Sequence, residues 1–155
     1  MRLAVRHGTP AGDKSERWRD GEPCLIVFEW KYLESYPAKC VALSDKGTDR
    51  VKTYQSLLLD PAGPIAVEDP KWLFWEPYCQ LMRQTLLAWR MCEARELGAS
   101  EWIHVNVVPA ENDALRTRVA GAAPQLTGDT MADAWRSALR EPTRYRLMTP
   151  TDVVP

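Results

Sequence analysis

Cys24, Leu25, Ile26, Val27 and Phe28 are apolar without a break, and Glu29, Trp30 and Lys31 follow at once. A run this short and this rich in β-branched and aromatic residues predicts a strand over 24–31, covered on both faces like a central strand of an α/β layer. A second apolar segment, Trp102-Ile103-His104-Val105-Asn106-Val107-Val108, predicts another strand. Weaker patterns at 3–7 and 144–148 predict a short strand and an edge strand. Helical spacing dominates between them. Tyr78, Leu81, Met82, Leu86 and Trp89 form one apolar stripe. Pro77 suits the first helical position and Gly98 a left-handed cap, so a helix of about 30 Å should run to about residue 97. Thr48 or Asp49 caps a helix to Leu59, Asn112 or Asp113 a short one to about 119, and Asp129 or Thr130 another to about 139. Pro61, Pro64 and Pro70 interrupt the chain before a short helical turn at 71–76. Residues 8–22, rich in Gly, Pro and charge, read as a long hairpin loop, and 37–48 as a second loop. The order β-β-α-α-β-α-α-β predicts an α/β (mixed α+β) fold with a small central sheet flanked by helices.

Length and composition narrow the class. A chain of 155 residues makes one domain with a substantial core. Its longest apolar run is far below the roughly 20 residues that span a bilayer, and its start has no secretory apolar region, so no membrane partner is expected. A net charge of -1 excludes the strongly basic kind of nucleic-acid binder, though not a local basic groove. The four cysteines (Cys24, Cys40, Cys79, Cys92) have no zinc spacing and read as free thiols of a cytoplasmic protein. The two histidines, His7 and His104, sit near no nucleophile signature.

The candidate chemistry begins where the apolar strand ends. Side chains two apart on a strand share a face, so Glu29 and Lys31 point the same way as Leu25 and Val27. A buried acid beside a buried base needs a purpose or a partner. One reading is a hard-metal site, with Glu29 as ligand for Mg²⁺ or Mn²⁺ and Lys31 orienting water and offsetting phosphate charge. The other is a charged strand end leaving the core. Glu76, Gln80, Arg83 and Gln84 lie on one side of the long helix, either facing that strand end or forming a solvated face. Gly8 to Ser15 falls one residue short of a phosphate-binding loop, because Asp13 stands where the second glycine must be, so it reads as hairpin. His104 reads as a structural histidine. Asn106 and Asn112 are read equally as ligand contacts or as caps. Arg116, Arg118, Arg136, Arg140, Arg144 and Arg146 tint the second half basic, and solvated faces are the default for them. Trp72, Trp75 and Trp89 are assigned to core packing ahead of base stacking.

Glu29-Trp30-Lys31-Tyr32, Glu34-Ser35-Tyr36, Glu76-Pro77-Tyr78-Cys79-Gln80-Leu81-Met82-Arg83-Gln84 and Asn106-Val107-Val108-Pro109 together resemble bacterial proteins of the PD-(D/E)XK nuclease superfamily, which are restriction-endonuclease-like. The resemblance covers about residues 4–150. It implies a mixed four-stranded sheet and a magnesium- or manganese-dependent hydrolase that cleaves DNA. It implies Glu29 as metal ligand, Lys31 as catalytic lysine and Gln80 as accessory residue. Glu34, Glu76, Arg83 and Gln84 are further accessory candidates. A homodimer is compatible with it. Two features depart from the pattern: the metal-binding Asp expected before Ala4-Val5-Arg6 falls near Arg2, and the superfamily's preceding helix is missing. The expectation is therefore a single domain lacking its first helix and the start of its metal-Asp strand. The alternative is a non-catalytic nucleic-acid-binding or protein-interaction module on the same scaffold.

Overall fold

In a computed structural model of the chain the described residues are 2–6, 23–31, 39–116 and 128–154. Four strands form one sheet in the order β1 (Arg2–Arg6), β2 (Cys24–Trp30), β3 (Glu101–Val107), β4 (Tyr145–Met148). β1 runs antiparallel to β2, while β2, β3 and β4 are mutually parallel. The expected mixed α/β architecture is therefore present, with 24–30 central and 145–148 at the edge. The hairpin-loop reading of 8–22 lies outside the described residues.

The helices follow local signals. Asp49 caps α1 (Arg50–Leu58), its side chain accepting from the Lys52 amide. A 3₁₀ turn spans Pro70–Phe74, close to the expected 71–76. Pro77 takes the N-cap of α2 (Tyr78–Glu93), one position earlier than expected. The α2 stripe of Tyr78, Leu81, Met82, Leu86 and Trp89 is buried throughout. Asn112 accepts from the Leu115 amide at the start of α3 (Asp113–Arg116), and Thr130 caps α4 (Met131–Ser137). A short α5 (Pro150–Val153) follows β4.

One helix end departs from expectation. α2 stops at Glu93, four residues before the predicted end. Arg95 turns left-handed (φ 53°) and donates its amide to the Cys92 carbonyl; Leu97 is left-handed as well (φ 55°). Gly98 (φ 72°) closes only the 3₁₀ turn Glu96–Gly98. The turn brings Ala99, fully buried, down to the start of β3. Packing of that alanine outweighs the helix-forming preference of Arg95 and Leu97.

Register sorts the sheet into two faces. Leu25, Val27 and Glu29 stand beside Trp102, His104 and Asn106, and His104 beside Tyr145. α2, α4 and the 3₁₀ turn cover this face, which holds the main core with Phe74, Tyr78 and Trp135. The other face carries Cys24, Ile103, Val105 and Val107, with Ile26, Phe28 and Trp30 only half-buried. Two-sided burial, expected of 24–31, is thus a property of β3, where 102–107 are buried without exception. Among the described residues no helix is long and apolar enough to cross a membrane.

Candidate active site

The β2 ladder continues one residue past the strand, because the Lys31 amide donates to the Val107 carbonyl at 2.9 Å. Lys31 therefore keeps the alternation and shares the covered face with Glu29. Both are buried, at 8% exposure for Glu29 and 7% for Lys31. Lys31 Nζ lies 2.6 Å from Glu29 Oε1 and donates to Gln80 Oε1 at 2.7 Å. Gln80 reaches it from the first turn of α2, 49 residues along the chain. Glu29 Oε2 is buried and receives no donor among the described residues, and the same holds for Asn106 Oδ1, whose residue stands beside Glu29 in register. Glu76, just before α2, is half-buried. Burial pushes its carboxyl pKa up, while Arg50, Lys31, Arg83 and the Gln80 amide draw it back. A carboxylate, an ammonium and an amide thus converge at the carboxyl end of β2.

A family described as Restriction Endonuclease associating with ARP matches residues 16–155. The chain belongs to this family. Searches of curated proteins and of solved structures find no match to it.

Within this restriction-endonuclease family member the proposed site residues are not all gathered. Gln80 meets Lys31, and Glu76 is close enough to feel its charge. Arg83 is exposed and turns to α1, its Nε donating to the Tyr54 hydroxyl at 3.1 Å. Gln84 is half-buried with its Oε1 unpartnered. The polar line on α2 therefore faces the strand end only at its start. Glu34 lies outside the described residues. On the β1 side the register ends with Arg2 opposite Phe28, one residue short of Glu29. Among the described residues no three His, Cys, Asp or Glu side chains converge.

His104 sits two residues before Asn106 on the same face, fully buried. Its Nδ1 is 3.0 Å from Thr85 Oγ1, and the edge of its ring meets Tyr145. Burial lowers its pKa to about 3, so the ring is neutral. The structural reading of His104 holds for Nδ1, whereas Nε2 has no partner among the described residues. Burial also pushes the Tyr145 hydroxyl up, with Asn106 drawing it back. Thr85 and Tyr145 were not expected at this site. Thr85 left one signal, a polar residue inside the apolar stripe of α2. The arginines are mostly engaged: Arg144 with Glu101 (2.7 Å) and Glu141 (2.9 Å), Arg136 with Asp133 (3.1 Å), and Arg116 with the Val108 carbonyl (3.1 Å). Arg118 lies outside the described residues.

The oxygens fit a hard divalent cation. Glu29 Oε2 and Asn106 Oδ1, on residues paired in register, are buried acceptors without donors among the described residues, and such atoms need a partner.

Proposed function

We propose that this chain hydrolyses phosphodiester bonds of DNA at the Glu29–Lys31–Gln80 centre, with Mg²⁺ or Mn²⁺. The observation that carries the reading is the division of labour in Glu29: Oε1 holds Lys31, and Oε2 is buried with no donor among the described residues. Glu29, with Asn106 beside it, would hold the cation. When bound, the cation supplies an activated water and neutralises charge building on the scissile phosphate. Lys31 offers its ammonium to that charge. Gln80 and Glu29 fix the ammonium from two sides, so it needs little reorganisation. Glu76 sets the local field around Lys31 and the α2 amino end.

A non-catalytic module is the competing reading, favoured by one observation: Glu29 already has an ion-pair partner in Lys31. A calorimetric Mn²⁺ titration of the parent beside Glu29→Ala separates the two. Micromolar binding by the parent that is lost in the variant, followed by Mn²⁺-dependent DNA cleavage, is the expected result. A folded parent that takes up no Mn²⁺ sinks the nuclease reading.

A further inference from the structure

A cleft of about 440 Å³ opens at the other end of the sheet, where α2 ends and β3 begins. Trp102 on its floor precedes Asn106 by four strand residues, about 13 Å along β3, so the cleft is separate from the Glu29 centre. Trp89, Cys92 and Trp102 form a buried floor. Arg95, Arg140 and Arg144 stand around it, with Glu93 and Glu141 at the rim.

The charges do not cancel. Glu93 is taken by Arg90 at 2.6 Å. Glu141 is taken by Arg144 at 2.9 Å, and Arg144 also holds Glu101 and lies over the Trp102 ring at 5.2 Å. Arg95 and Arg140 have no acidic partner among the described residues. Arg140 is anchored by its Nε to the Gly63 carbonyl at 2.8 Å, and its backbone amide donates to the Pro64 carbonyl at 2.9 Å. Its terminal amines are left for the cleft. Arg95 occupies the left-handed position after α2 where glycine is the low-strain residue. A strained arginine on a cleft rim is the kind of outlier that binding sites retain.

We propose that this cleft binds a phosphate monoester carried on a nucleoside-sized body. The guanidiniums of Arg95 and Arg140 offer donors to the oxygens of a terminal phosphate, and with Arg144 shared between Glu101 and Glu141 the cleft is net positive by one charge. The volume lies in the range of small-ligand pockets and exceeds what a bare phosphate fills. The body would lie along the Trp89–Trp102 floor beside the guanidiniums of Arg90 and Arg144, which stand over those rings at 5.4 and 5.2 Å. Two sources share this chemistry, a free nucleotide and the 5′-phosphorylated end of a nucleic-acid strand.

The test is calorimetry in EDTA with AMP, adenosine, inorganic phosphate, and a thymidine tetranucleotide with and without a 5′-phosphate. AMP should bind at least about tenfold more tightly than adenosine or inorganic phosphate. Arg95→Gly and Arg140→Gln should each weaken AMP about tenfold, and Glu29→Gln should leave it unchanged. Arg95→Gly should also keep or raise the thermal midpoint, because glycine relieves the left-handed backbone; lost binding there is not lost folding. Displacement of AMP by the phosphorylated tetranucleotide identifies a strand end as the ligand, and its failure to displace AMP identifies a free nucleotide. The proposal is overturned if AMP does not bind, if adenosine or inorganic phosphate binds as well as AMP, or if Arg95→Gly keeps full affinity.

Discussion

Lys31 is held at two points, and each has a different consequence. Its ion pair with Glu29 is buried, so removing the ammonium alone strands a carboxylate. Lys31→Met should lower stability by about 3–5 kcal/mol, and adding Glu29→Gln should recover most of that loss; urea denaturation of the single and double variants measures it. A second prediction concerns His104. Its folded pKa of about 3 lies below the ordinary value near 6.5, so the fold favours the neutral ring. The stability it contributes is fully present above about pH 6.5 and is lost as pH falls toward 3, at a slope on the order of 1 kcal/mol per pH unit. Glu76 acts with the opposite sign: burial raises its pKa in the fold, so its contribution is present at low pH and is lost as pH rises. Comparing the parent with His104→Gln across this range isolates the histidine, and the variant should lack the acid-side slope. Glu29 and Lys31 were legible together because strand alternation follows from sequence alone. The approach of Gln80 was one of two readings left open by helical spacing and was implied by the resemblance, whereas the contact between His104 and Thr85 was not legible, because it depends on where α2 lands on the sheet.

At the scale of elements, starts were easier to read than ends. Asp49, Asn112 and Thr130 cap where their side chains can meet an orphan amide, which is a local matter. The end of α2 is set by tertiary packing of Ala99, so Gly98 misled by several residues. The same logic predicts stabilities of opposite sign. Asp49→Ala removes the side chain that accepts from Lys52 and should cost about 1 kcal/mol. Leu97 is 61% exposed and left-handed, so it gains little by burial and bears the strain of its Cβ. Leu97→Gly should raise stability by about 1 kcal/mol. Thermal denaturation of both variants checks the pair; a Leu97→Gly variant less stable than the parent would show that this leucine packs against something essential.

At the scale of the molecule, charge constrains how nucleic acid can be engaged. The net charge is -1, and the basic residues of the second half are largely spent on neighbours: Arg144 on two glutamates and Arg136 on Asp133. Arg95 and Arg140, which have no acidic partner among the described residues, line the cleft at the end of the sheet away from Glu29. Phosphate contacts that neutralise few charges give a shallow salt dependence. If Glu29 holds a cation, that cation adds to the positive charge that Arg50, Lys31 and Arg83 bring to this end of the domain. Binding of a DNA duplex should therefore be weak in EDTA, with a slope of log affinity against log salt no steeper than about -3. Ca²⁺, which occupies hard-oxygen sites, should strengthen it by at least about tenfold. Glu29→Gln should remove the Ca²⁺ increment and leave the EDTA value alone. Fluorescence anisotropy with a labelled duplex measures all three quantities. Tight binding in EDTA with a steep salt slope, unmoved by Ca²⁺, would place recognition on a basic surface away from Glu29, and the same scaffold would then act as a binding module.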